Sequence, residues 1–276
     1  MSRQVFAYIL HKEGIPDDTA LELVTAAHKI DSEASVIALV TGSGDNLNTV
    51  CKELAASFSE VWKVDHADLG YPNAELVRKA LMGVLPANAV VLVPHEHFGL
   101  DLSPGLSVKL DAPYFPDVVD FEGMEGDTLK AVRQEFSGMV STHVQADISG
   151  GAVITPRPGS FQPDESKAAG GQVIDKSGDV GDLTSVRRYL ETVEAEVGEV
   201  DITKSDVLVS VGRGIEDQDN LEMIEELAEA MGADVSCSRP IVDAKWLEKS
   251  RQVGTSGQTV KPKVYVALGI SGSFQH

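Results

Sequence analysis

Residues 251–276 read RQVGTSGQTVKPKVYVALGISGSFQH. Within them, Lys263-Val264-Tyr265-Val266-Ala267-Leu268 is a short, mostly apolar run bounded by Pro262 and Gly269, the pattern of a central parallel strand. Gly269-Ile270-Ser271-Gly272-Ser273 follows at once and opens a helix. A glycine turn at the carboxyl end of a parallel strand offers free N–H groups and a positive dipole end to an anion. The preceding loop, Gly254-Thr255-Ser256-Gly257, is equally small and rich in hydroxyls. Two such loops so close together suggest a cofactor that bears both phosphate and a ring.

Upstream, residues 206–211 form a strand and Gly212-Arg213-Gly214 a turn. Residues 222–231 form a helix with Leu221, Ile224, Leu227, Ala228 and Met231 on its apolar face, stopped by Gly232. Val235-Ser236-Cys237 is the next strand, ended by Ser238-Arg239-Pro240. This is a β-α-β unit, and the closing stretch continues it. Arg213, Ser238, Arg239, Ser256 and Ser271 then fall on the edge where doubly wound sheets bind ligands. A lone GRG is a weak signal, for which a solvated turn arginine is the favoured reading. The convergence of the loops carries the argument.

The first half has the same construction. Strands are expected over 5–10, 34–40, 60–64 and 89–93. Helices alternate with them: one capped by Asp17 or Asp18 with Leu21, Val24, Ala27, His28 and Ile30 inward, one over 47–58 and one over 74–85. Alternation at this spacing means a parallel sheet with helices on both faces. After Pro116, residues 118–121, 129–135, 140–145 and 151–156 read as consecutive strands, an antiparallel extension. Residues 156–182, rich in Pro, Gly, Ser and charge, are expected to be loop. The chain is thus α/β with two Rossmann-like domains, 1–197 and 198–276.

Composition narrows the function. With 23 basic against 43 acidic residues the net charge is −20. That argues against nucleic acid and anionic membrane surfaces, whose binding rests on neutralising phosphate. It suits docking on partners with basic patches. No stretch reaches the roughly 18 consecutive apolar residues of a membrane span, and the N-terminus looks like a first strand rather than a signal peptide. Cys51 and Cys237 are too few for a disulfide framework and fit a reducing compartment, so the cytoplasm is expected. They read as small apolar fillers. His95-Glu96-His97 would share one face on a strand, but a metal needs further ligands, and nothing fixes Asp101 or His143 as those. A polar loop after a strand is the favoured reading.

These residues bring a family into view. Gly212-Arg213-Gly214, Ser238-Arg239, Gln252-Val253-Gly254-Thr255-Ser256-Gly257, and Gly269-Ile270-Ser271-Gly272 through Gln275-His276 together resemble the α subunit of electron transfer flavoproteins. That family includes the nitrogen-fixation-linked flavoprotein large subunits. Asp101-Leu102-Ser103-Pro104, Ser137-Gly138 and Arg157-Pro158-Gly159-Ser160-Phe161 extend the resemblance to the first domain. It implies FAD in the second domain, contacted by Arg213, Ser238, Arg239, Val253, Gly254, Thr255, Ser256, Ser271, Gly272, Ser273, Phe274, Gln275 and His276. Arg239 would lie over the flavin ring, where a cation favours the reduced, anionic form. Ser256, standing where the family often has Thr, would bond near N5, and His276 would donate toward the C2 carbonyl. Charge and hydrogen bonds at those atoms are how a protein tunes a flavin.

The resemblance further implies pairing with a β subunit, the first domain making the contact. Electrons would pass from flavin dehydrogenases, such as acyl-CoA dehydrogenases, to an acceptor such as a quinone oxidoreductase, without substrate chemistry of the chain's own. Bifurcation would depend on the β subunit. Family members continue for several tens of residues past this point, so the second domain is expected to be incomplete at its C-terminus, without its adenosine contacts. Two other readings stand beside this one. A nicotinamide-dependent dehydrogenase would need G-x-G-x-x-G, whereas Ile215-Glu216-Asp217 follows the turn and the third glycine is absent. A non-redox scaffold subunit with an incomplete FAD site is the other.

Overall fold

The computed structural model describes residues 3–136, 138–167, 170–187, 189–191, 200–254 and 256–272. The chain divides into two compact units, Met1–Tyr189 and Leu190–His276. The expected boundary at 197/198 lies outside the described residues.

In the first unit β1 (Gln4–Tyr8) is followed by a small hairpin of β2 (His11–Lys12) and β3 (Ile15–Pro16), then α1 (Ala20–Ile30). The chain continues through β4 (Ser35–Gly42), α2 (Gly44–Leu54), β5 (Glu60–Asp65), α3 (Ala74–Val84), β6 (Val90–Leu92) and α4 (His97–Leu110). β7 (Tyr114–Glu125), β8 (Thr128–Glu135), β9 (Val140–Asp147), β10 (Ala152–Pro156) and β11 (Gln172–Asp175) complete it. One sheet runs in the order β11-β5-β4-β1-β6-β10-β7-β8-β9. It is parallel from β11 to β7 and antiparallel through β8 and β9.

The pleat sorts the core. Val5 and Ala7 join a cluster built with the buried residues of α1 and α2, while Phe6 and Tyr8 join one built with α3 and α4. A strand buried on both faces must be apolar without alternation, and β1, β4 and β6 are.

Several expectations are corrected. Residues 152–156 do not continue the antiparallel run. β10 inserts parallel between β6 and β7, and only β7, β8 and β9 form the extension. Residues 172–175, expected as loop, pair as an edge strand with β5. Thr19, not Asp17 or Asp18, stands at the N-cap of α1, and Asp17 Oδ1 accepts from the Thr19 N–H (2.9 Å) and its hydroxyl. On that helix His28 is exposed while Leu23 and Ala26 are buried. β6 ends at Leu92 and α4 begins at His97, so His95 and His97 share no strand. Among the described residues no three His, Cys, Asp or Glu are grouped to hold a metal.

His95 instead closes a network at the carboxyl ends of β6 and β10. Its Nδ1 meets the Thr155 hydroxyl (2.9 Å) and the Asp117 N–H (3.2 Å). A backbone N–H can only donate, so Nδ1 is the unprotonated nitrogen. Arg157 grips Asp117 with two hydrogen bonds of 2.7 and 2.6 Å and donates a third to Gln134 (2.6 Å). Burial lowers the His95 pKa, with the nearby arginines adding to it against the opposing charge of Asp117.

That depression predicts a pH effect. The folded chain holds His95 neutral, so as pH falls through 6.5 the unfolded chain binds a proton the fold refuses. Stability present above that pH is then lost on acidification. The unfolding temperature of the wild-type chain should fall between pH 7 and 5, and His95→Gln should flatten that slope. Equal slopes in both chains would place the titration elsewhere.

Candidate functional site

The second unit holds β12 (Val207–Val211), α5 (Leu221–Met231), β13 (Asp234–Cys237), α6 (Arg239–Asp243) and β14 (Val264–Leu268). Its parallel sheet has the order β13-β12-β14. Among the described residues β14 is therefore an edge strand, partly exposed, and β12 is the central one. The mostly apolar pattern of 263–268 is that of a central strand, whereas here β12 takes that place. On α5, Leu221, Ile224 and Ala228 are buried, but Leu227 and Met231 are exposed, each at 39%.

Register brings the motifs to one edge. Val211 lies opposite Leu268 on one side and Cys237 on the other. The turns that follow, Gly212-Arg213-Gly214, Ser238-Arg239 and Gly269-Ile270-Ser271-Gly272, all leave the carboxyl end of the sheet. The two glycine turns touch backbone to backbone. Gly212 N donates to Leu268 O and Gly214 N to Gly269 O, both at 2.8 Å. A Cβ on Gly212 would stand 2.4 Å from Gly269 O, and one on Gly269 would stand 2.6 Å from Ile215 N. No side chain fits at either position.

The third loop is tied to the same edge. Gln252 bridges to Cys237 in parallel, and Val253 N donates to Cys237 O at 2.9 Å. Gly254 has φ +109, and Gly257 N closes a turn onto Gly254 O at 2.8 Å. Val253 is buried and Ser256 exposed. Ser238 is 5% exposed, and its hydroxyl is not spent on capping α6. Arg239 is exposed and lies 3.5 Å from Asp243, a screened surface pair. Ser271 and Gly272 are exposed, Gly272 with φ +79 and open space beside it. Thr255, Ser273, Phe274, Gln275 and His276 lie outside the described residues.

Gln252 is the site residue that pattern reasoning passed over, although it heads the motif. It is 3% exposed, and its Nε2 donates to Ser256 Oγ at 2.8 Å. Cys237, at the foot of this edge, is a filler. Burial pushes its thiol up to about 12, as it pushes Cys51 up to about 11.

The chemistry of this edge fits FAD. Arg213 and Arg239 supply guanidinium groups, Ser238, Ser256 and Ser271 supply hydroxyls, and the turns supply backbone N–H groups. This is a donor-rich set suited to a pyrophosphate and to an electron-accepting ring. The glycine contact lets the two turns approach each other backbone to backbone, which holds Arg213 and Ser271 on the same edge.

Comparison with known proteins agrees. The family model for the electron transfer flavoprotein domain matches residues 5–179, and that for the electron transfer flavoprotein FAD-binding domain matches residues 201–276. The chain is 33% identical to the electron transfer flavoprotein subunit alpha of Methylophilus methylotrophus, over 96% of this chain and 83% of that one. It is 28% identical to Protein FixB of Clostridium saccharobutylicum, over 99% and 82%. It is 29% identical to the lactate dehydrogenase (NAD(+),ferredoxin) subunit LctC of Acetobacterium woodii, over 99% and 66%.

The glycine contact can be tested directly. Gly212 does not need a positive φ, so Gly212→Ala isolates the steric effect. It should destabilise the second unit by about 1–3 kcal/mol and cut the flavin retained on purification. Gly178→Ala, where a Cβ would meet nothing, should leave the unfolding temperature unchanged. Two equally stable variants would refute the close approach.

Proposed function

The chain belongs to the electron transfer flavoprotein α-subunit family, and on that premise we propose how it works in detail. Its second unit is the family's FAD-binding domain and its role is electron transfer. The finer reading is a carrier that pairs with a β subunit, takes electrons from flavin dehydrogenases such as acyl-CoA dehydrogenases, and passes them to an acceptor such as a quinone oxidoreductase. It works in the cytoplasm and performs no substrate chemistry of its own. The match to LctC supports a place for such chains inside larger redox complexes as well.

The observation that carries the site assignment is the convergence of three loops on one strand edge. Bound FAD supplies the redox chemistry by accepting and releasing one or two electrons. The chain's residues bind and bias it. Arg213 and the glycine turns present donors to the anionic part of the cofactor. Arg239 would hold a fixed positive charge at the ring and favour the form with more negative charge. Ser238, Ser256 and Ser271 would add hydroxyl contacts, Ser256 near N5. Val253 and Gly254 shape the loop, and Thr255 and residues 273–276 would extend the contact, with His276 donating toward the C2 carbonyl.

The test is an absorbance spectrum of the chain co-purified with its β subunit, followed through stepwise reduction. A bound flavin is expected. In Arg239→Ala its potential should fall by about 40 mV, the one-electron equivalent of about 1 kcal/mol of lost charge stabilisation. A colourless complex that takes up no added FAD would overturn the reading.

A further inference from the structure

We propose that Gln252 sets the direction of the Ser256 hydroxyl and so makes Ser256 a hydrogen-bond donor to the cofactor. The inference rests on the reading of Ser256 as a cofactor contact, and it names a residue one step behind that contact. Gln252 is polar yet almost wholly buried, and such a group is expected to have its hydrogen bonds satisfied. Its amide donates to Ser256 Oγ at 2.8 Å.

The amide is clamped where it stands. Its backbone bridges to Cys237 at the end of β13, and Gln252 O accepts from Gln258 N at 2.6 Å. Gly257 packs so closely that a Cβ there would come within 2.3 Å of Gln252 O and 2.9 Å of its Cγ. The side chain therefore has little room to turn away from Ser256.

A serine hydroxyl has one proton and two acceptor lone pairs. Left alone, it rotates to suit whatever it meets. Here the Gln252 N–H occupies one lone pair, so the Ser256 proton points away from Gln252. Ser256 is exposed, so the remaining directions open to the proton include the solvent side of the loop. A ligand acceptor arriving there meets a donor already oriented, and the ordering cost is met before binding. The amide also polarises the hydroxyl it donates to, which strengthens the outgoing bond. Gln252 is thus a positioning residue that acts through Ser256.

The experiment is a double-mutant cycle in the complex with the β subunit, using Gln252→Leu, Ser256→Ala and the pair. FAD dissociation is read by flavin fluorescence, the flavin potential by stepwise reduction, and the fold by thermal unfolding of the apo complex. Each single variant should weaken FAD binding by about 3- to 10-fold, the range of one hydrogen bond. The double variant should be no weaker than the worse single, because both remove the same bond. Gln252→Glu keeps the shape but turns the donor into an acceptor that captures the Ser256 proton. It should match Gln252→Leu in FAD affinity and potential although the two variants differ in unfolding temperature, since a buried carboxylate and a buried leucine load the fold differently. That separates positioning from packing. Fold-losses that multiply in the double variant would overturn the proposal. So would a Gln252→Glu complex with wild-type affinity and potential. If the wild-type complex itself binds no FAD, the cofactor reading fails first and this inference falls with it.

Discussion

The second unit depends on one contact, the meeting of the Gly212–Gly214 turn with Gly269. Parallel strands hold each other through evenly spaced backbone hydrogen bonds, and β12 and β14 carry that ladder past their last residues into the turns. Two chains hydrogen-bonded at 2.8 Å beyond a strand end leave no volume for a Cβ on the facing residues. Glycine is required there for space, whatever its φ. The consequence is chemical. With glycines spent on the contact, the residues between and beyond them, Arg213 and Ser271, carry the functional groups. The neighbouring strand supplies Ser238 and Arg239 at the same level because its register with β12 ends at Cys237.

Much of the architecture was legible because parallel strands buried on both faces announce themselves as unbroken apolar runs. Residues 89–93 and 206–211 were readable for that reason. α4 was not, because its punctuation is that of a loop. Gly99, Pro104 and Gly105 fall inside it. Gly99 has a local reason, since a Cβ there would stand 2.0 Å from Pro94 O, and at Gly105 the obstacle is the Arg78 side chain. Proline at 104 forgoes a helical N–H bond, and the helix tolerates it under the packing of Leu102 and Leu106. Tertiary contact overrode local propensity.

Pairing partners were the other blind spot. β10 follows three antiparallel strands in sequence, yet it returns across the sheet to lie parallel between β6 and β7. Nothing in five buried residues, Ala152–Pro156, says which neighbour they will find. β11 was invisible for the opposite reason. It is an edge strand whose Val173 is exposed, so it lacks the apolar run that marks a buried strand. At the site, the glycines and arginines could be named from their motifs. The bond from Gln252 to Ser256 could not, because a four-residue spacing in a loop has no fixed geometry until the backbone around Gly254 and Gly257 is in place.

The two units share a construction but differ in what they do with the carboxyl edge of their sheets. In the first, the charged groups at the edge are consumed internally. Asp117 is saturated by Arg157, His95 by Thr155 and the Asp117 N–H, and Gln134 by the remaining arm of Arg157. Burial alone would raise the Asp117 pKa, yet Arg157 holds the carboxylate below its ordinary range, which shows how completely the pair is committed. A ligand arriving there would have to break these bonds before making its own. In the second unit the edge is left open-handed. Among the described residues Arg213 has no ion-pair partner, Ser238 caps nothing, and Arg239 has only a screened neighbour. Groups held in place but not yet bonded are what a cofactor can use at little cost, since no internal bond must be lost to make the new one. Both edges end in glycine or proline turns, but the guanidinium groups of the second are the less committed. The family's FAD-binding domain falls on the second unit, and these less committed donors, rather than the shared β-α-β plan, are what suit it to the cofactor.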